Sequence, residues 1–276
     1  MKLIILLIFL VLIVFLVFLY DYLFSVYPIQ TFKLILLGFK HTINKYTSVP
    51  SKKRKILFLT VEDRDEKYIT LHDNSFKEYS ESNGYSYIRE YKCTPDISTY
   101  WCKIYRVKEY LEKNEYDYIV WVDSDTIITD QEKSIDDYIS KYGEKDIFIG
   151  TEPYNILIKN FVLYNAGIFI IKNSTVGKNF INDCILYLSH KSRCIKKSKE
   201  QGLWGGICYE QGVMNIYLKG KYSKYTYVDY KKQIFNNYMG MYSLFTRRNK
   251  VNRGLILHLP GQNSEKRYST FRKYSS

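Results

Sequence analysis

The stretch Tyr118-Ile119-Val120-Trp121-Val122-Asp123-Ser124-Asp125 decides how the rest of the chain is read. Its first five residues are all β-branched or aromatic, the mark of a strand buried on both faces. It runs directly into two carboxylates one residue apart. Upstream, residues 56–60 read as a second buried strand, 69–82 as a helix stopped by Asn83-Gly84, and 85–91 as a strand. Trp101, Ile104, Tyr105 and Val107 fall on one face of a helix over 101–111. Downstream, strands are expected at 147–149, 164–171, 225–228 and 255–258, with a helix over 176–188. This alternation predicts a three-layer α/β domain with a mostly parallel central sheet. Ligands in such sheets sit beyond the carboxyl ends of the strands, so the chemistry is expected immediately after Thr60 and Val122.

Asp123 and Asp125 lie at that edge. Two carboxylates in a tight turn can converge on a hard divalent cation, which would clamp a diphosphate and neutralise the charge that develops as it leaves. The triplet alone is weak evidence, because Asp63-Arg64-Asp65 repeats it in a stretch that reads as an exposed charged loop. Position separates the two. Only Asp123 and Asp125 end a buried strand.

The segment Tyr100-Trp101-Cys102-Lys103, followed by residues 119–127, resembles the donor-site region of retaining glycosyltransferases of the GT-A fold. It is especially similar to glycosyltransferase family 34, the galactosyl-, mannosyl- and xylosyltransferases, with the glycogenin-like family 8 more distant. Three further blocks occur in the family's order: Asn165-Ala166-Gly167, Tyr209-Glu210-Gln211 and His258-Leu259-Pro260-Gly261. The resemblance covers about residues 54–270. It implies a GT-A domain over 54–276 that moves a sugar from a UDP-sugar, or from GDP-mannose, to a glycan or glycoprotein acceptor. It implies Asp123, Asp125 and His258 as metal ligands, with manganese expected and magnesium possible. Lys103, Asn165, Glu210 and Gln211 become the candidate catalytic residues. Glu210 is placed to stabilise positive charge at the anomeric carbon or to act as a nucleophile. Thr60 and Val61 would border the base and ribose. Ser124, Gly167 and Gly261 would lie against the nucleotide and its phosphates. Family 34 carries a second acid where Tyr209 stands, and a lysine soon after the His block, for which Lys266 is the substitute here. The Tyr209 departure also keeps open a catalytically inactive relative that binds nucleotide or glycan and supports a partner enzyme.

Composition bounds the remaining classes. The chain of 276 residues is 46% hydrophobic and 25% charged, which excludes a disordered polymer. Its net charge of +13 coexists with a single alanine (Ala166) and 29 tyrosines, a pattern of AT-rich coding that discounts the basicity as a nucleic-acid footprint. No nucleic-acid partner is expected, although residues 246–276 form a basic tail. The five cysteines contain no C-x-x-C pair, so zinc ligation is not expected. Buried free thiols are the default, with Cys184–Cys194 the bridge considered for an oxidising compartment.

Residues 3–20 are an unbroken run of 18 apolar or aromatic residues without a small-x-small cleavage site after it. This predicts a transmembrane anchor over 1–24 rather than a cleaved signal, and a stem over 25–53. Flanking charges nearly tie, so orientation is not encoded there. The resemblance implies a single-pass type II protein with a lumenal, Golgi- or ER-like catalytic domain, and makes Asn173-Ser174-Thr175 a glycosylation acceptor.

Overall fold

The structure, a computed structural model, describes residues 53–93, 99–152, 164–189, 208–230, 234–237 and 254–275. The anchor expected over 1–24, nearly all of the 25–53 stem and the start of the basic tail lie outside them. Among the described residues no helix is long and apolar enough to cross a membrane.

Strand β1 (Ile56–Val61) shows how the layers arise. Its side chains alternate between faces. Leu57 and Leu59 enter one core with Trp101, Ile104 and Phe180; Ile56 and Phe58 enter another with Phe76, Tyr79 and Ile139. The same division runs through β3 (Tyr118–Val122), whose five residues are all buried. The helices supplying these cores are α1 (Lys67–Asn83) and α3 (Ile135–Lys141) on one side. On the other are α2 (Thr99–Lys113), α4 (Thr175–Ser189) and α5 (Glu210–Lys219). The three-layer α/β expectation holds.

The central sheet adds β2 (Ser86–Glu90), β5 (Ile147–Thr151), β6 (Tyr164–Lys172) and β7 (Thr226–Asp229) in the order β2-β1-β3-β6-β5-β7. Pairings β1–β2, β1–β3 and β5–β7 are parallel, whereas β6 runs antiparallel to both of its neighbours. Because β6 is reversed, its first residues lie at the edge where β1, β3 and β5 end. Asn165, Ala166 and Gly167 therefore meet the acidic turn, and Asp123 N–H donates to Gly167 C=O at 2.8 Å.

A second sheet follows the turn, in the order β4-β9-β8, built from β4 (Thr126–Ile128), β8 (Phe235–Asn237) and β9 (Ile256–His258). Thr126 pairs with His258, and Leu259 N–H donates to Asp125 C=O at 3.0 Å. Helix α6 (Ser264–Phe271), capped by Asn263, packs Phe271 against Tyr68, Ile127 and Leu257 and so closes this side.

The cysteine expectation is corrected. Cys93 and Cys102 form a disulfide, and Cys208 is also disulfide-bonded, while Cys184 is a buried free thiol and so is not bridged to Cys194. Cys93 and Cys102 are nine residues apart, across a connection that joins sheet to helix, a proximity no periodic pattern encodes. Asn173, the expected glycosylation acceptor, follows β6 and is half-buried. Its Nδ2, the atom a glycan would occupy, donates to Tyr116 C=O at 3.0 Å, and its Oδ1 is buried.

Candidate active site

A cleft of about 650 Å³ opens at the edge where these strands end, within the range of small-ligand sites. Asp123, Asp125 and His258 line it, and one ligand atom from each lies within 4.8 Å of the others. The chain holds all three firmly. Trp121 Nε1 donates to Asp123 Oδ1 at 2.7 Å; His258 Nε2 lies 3.1 Å from Asp125 Oδ1; Arg267 Nη2 donates to Asp125 Oδ2 at 2.7 Å. Burial alone would push the Asp125 carboxyl up, but His258 and Arg267 hold it below the ordinary carboxylate range. Two carboxylates and an imidazole make a mixed oxygen–nitrogen donor set, so these residues fit a divalent ion.

Lys103 lies beside Asp123. The residue is 6% exposed, and its ammonium lies 3.0 Å from Asp123 Oδ1, 3.1 Å from Glu210 Oε1 and 3.2 Å from Ala166 C=O. Burial would lower its pKa, but the two carboxylates outweigh it and keep it charged. One cation cannot fully compensate two acids. Burial accordingly raises the Glu210 carboxyl, Lys103 only partly offsets this, and the Asp123 charge adds to it. Glu210 Oε2 is buried without a hydrogen-bond partner among the described residues. Tyr209, where the resemblance expects a second acid, is buried against Tyr100, with ring centroids 5.1 Å apart.

Asn165 and Gln211 are oriented by the backbone. Asn165 Oδ1 accepts from Gly167 N–H at 2.8 Å, and Gln211 Oε1 from Ala166 N–H at 2.9 Å. Both amide nitrogens then donate to one atom, Glu152 Oε1, at 3.0 and 2.8 Å. Each amide keeps one N–H for a ligand. Burial raises the Glu152 carboxyl, and these two bonds, with the His258 imidazole acting through space, only partly offset it.

The remaining expected residues divide. Val61, Ser124, Gly167 and Gly261 line the cleft. Gly261 adopts φ 69°, a backbone that disfavours any other residue, and no heavy atom lies within 4 Å of where a Cβ would stand. Thr60 does not line it: the pleat that brings Val61 to the cleft turns Thr60 into the core, fully buried. Lys266 is corrected as well. It is exposed in the first turn of α6 and outside the cleft lining, whereas the next residue, Arg267, faces Asp125.

Sequence reading missed Glu62, Arg64, Glu152 and Arg267. Glu62 is buried at the end of β1, accepting from Ser124 Oγ at 2.5 Å and from Arg64 Nε at 2.8 Å. Burial would raise its carboxyl, but Arg64 and Ser124 hold it below the usual range. Glu62 and Glu152 each stand one residue past a strand of the central sheet, so the strand-end rule that singled out Asp123 contained the signal for both.

Comparison with known proteins bears on the fold and the family. Residues 52–149, which span β1 to the acidic turn and most of β5, match the galactosyl transferase GMA12/MNN10 family. Among solved structures, a glycosyltransferase involved in the glycosylation of the major capsid of PBCV-1 superposes with a TM-score of 0.56 at 15% identity, over 79% of this chain and 99% of that one. The glycosyltransferase GlyE of Streptococcus pneumoniae TIGR4 gives a TM-score of 0.44 at 15% identity, over 80% of this chain and 60% of that one. No curated protein matches the chain. The chain is a glycosyltransferase similar to the galactosyl transferase GMA12/MNN10 family.

Proposed function

We propose that this GT-A-type domain, residues 54–276, transfers a sugar with retention from a nucleotide diphosphate sugar to a glycan or glycoprotein acceptor, using a divalent metal. The observation that carries the reading is the convergence of Asp123, Asp125 and His258 on one cleft that also holds Lys103 and Glu210. A UDP-sugar is the preferred donor class, ahead of GDP-mannose.

Asp123, Asp125 and His258 would hold manganese or magnesium, which when bound supplies Lewis-acid charge against the diphosphate. Arg267 adds a fixed positive charge beside Asp125. Gly261 leaves open space for close approach of a phosphate. Lys103 keeps Asp123 and Glu210 apart in charge and fixed in place. In the transfer, the bond from the anomeric carbon to the leaving phosphate oxygen breaks and a bond to the acceptor oxygen forms on the same face. The acceptor proton passes to the leaving phosphate. Glu210 stabilises the positive charge that develops at the anomeric carbon.

We also place residues 1–24 as a single-pass type II anchor and 25–53 as its stem, with the catalytic domain in the lumen of a secretory compartment. The 18-residue apolar run supports the anchor. The Cys93–Cys102 disulfide supports an oxidising compartment.

The test is nucleotide release from UDP-glucose, UDP-galactose, UDP-xylose and GDP-mannose by the full chain with manganese. Release from one of them that EDTA abolishes supports the reading. Release that EDTA leaves untouched contradicts the metal assignment, and no release from any donor, with or without glycan acceptors, contradicts the activity.

A further inference from the structure

Glu152 is 3% exposed, follows β5 directly and lines the cleft. Its Oε1 is saturated by Asn165 Nδ2 and Gln211 Nε2, and its Oε2 makes no hydrogen bond to a described residue. The orientation of the two amides is not arbitrary. Their oxygens are occupied by the backbone N–H groups of Gly167 and Ala166, so their nitrogens must face Glu152.

The charge pattern around the cleft singles this acid out. Asp123 and Glu210 face Lys103, Asp125 faces Arg267, and Glu62 faces Arg64. Glu152 alone, among the buried carboxylates described in the cleft, is hydrogen-bonded only by neutral groups. The His258 imidazole acts on Glu152 through space but makes no hydrogen bond to it. A buried acid without a hydrogen-bonded cation carries a desolvation cost, and such a cost in a cleft marks a ligand site. That ligand cannot be the diphosphate, which a carboxylate repels. It must be neutral and rich in hydroxyl donors.

We infer that Glu152 receives a hydroxyl of the transferred sugar on Oε2, with Asn165 and Gln211 as the positioning residues that aim it. This rests on the reading of the cleft as a nucleotide-sugar site. It assigns the sugar-recognising role to the residue just past β5, which the sequence motifs pass over, and makes Glu152 a determinant of which donor is accepted.

Glu152→Gln isolates the claim, because glutamine Oε1 can still accept from both amides while its Nε2 replaces the acceptor Oε2 by a donor. With manganese present, the variant should bind UDP or GDP within twofold of the native chain. It should bind the accepted nucleotide sugar at least tenfold more weakly and lose at least a hundredfold in kcat/KM for donor hydrolysis. In a series of singly deoxygenated analogues of that donor, the native chain should discriminate against one, and the variant should not. Glu152→Asp, which keeps the acid but withdraws it by one methylene, should fall between the two and serves if the glutamine variant does not fold. Equal nucleotide-sugar affinity and kcat/KM in an active native chain and in either folded variant would overturn the Glu152 assignment alone. A native chain that binds no nucleotide and turns over no donor would overturn the proposed function and this assignment with it.

Discussion

A Cβ at Gly167 would lie 2.1 Å from Cε1 of His258, so the imidazole on β9 occupies the space that the glycine on β6 leaves. The two residues belong to different sheets, 91 positions apart in sequence, and the missing methyl group is what lets His258 converge with Asp123 and Asp125. Gly167→Ala forces the ring away from Asp125. Overpacking of this kind costs about 1–3 kcal/mol, and we expect manganese affinity to fall at least tenfold. Titration calorimetry with manganese checks this, and unchanged affinity would show that the ring has room to move.

Asp125→Asn should abolish metal-dependent turnover. It should also lower stability, because Arg267 Nη2 and His258 Nε2 both lean on that carboxylate. Loss of a charged hydrogen bond costs about 2 kcal/mol, which at this size moves the unfolding midpoint by roughly 4–8 °C. Thermal denaturation followed by circular dichroism measures it.

Lys103 and Glu210 separate structure from chemistry. Lys103→Met strips the cation from two acids and should destabilise the chain by about 3–5 kcal/mol, the usual consequence of breaking a buried pair. Glu210→Gln leaves Lys103 its bond to Asp123, so the fold should survive while kcat falls at least a hundredfold and nucleotide affinity changes less than threefold. Steady-state kinetics beside nucleotide titrations distinguish this from a binding role, in which affinity would fall and kcat would hold.

The pH dependence of stability should expose Glu152. Burial raises its carboxyl above the unfolded value. The folded chain therefore holds that proton more tightly than the unfolded chain, and stability is penalised as pH rises through the folded pKa. In the metal-free protein Glu152→Gln should melt higher than the native chain above that pKa, with the difference vanishing as pH falls toward the unfolded value near 4.3. A difference of opposite sign, or one that does not change with pH, would contradict the burial argument.

Much of this architecture is legible in the residues themselves. A largely apolar run marks β1, a continuous β-branched and aromatic run marks β3, and the helical spacing of Trp101, Ile104 and Val107 marks α2. The reversal of β6 is not legible, because alternation has the same period in either direction, yet that reversal brings Asn165 and Gly167 to Asp123. The exchange of Lys266 for Arg267 has a similar cause. Neighbouring residues on a helix point about 100° apart, so a motif that slips by one position changes which side chain enters the cleft. Short elements such as β4 and β8, three residues each, carry too few side chains to show a period.

The most direct test of the central claim is thermal unfolding of the full chain with UDP, GDP, CDP and ADP, each with and without manganese. A ligand at 100 times its Kd adds about 2.7 kcal/mol, or a shift of roughly 5–11 °C at this size. The account predicts a shift with UDP, or failing that GDP, that requires manganese and disappears in Asp125→Asn. A folded chain whose midpoint moves with no nucleotide, or moves equally without metal, would contradict it.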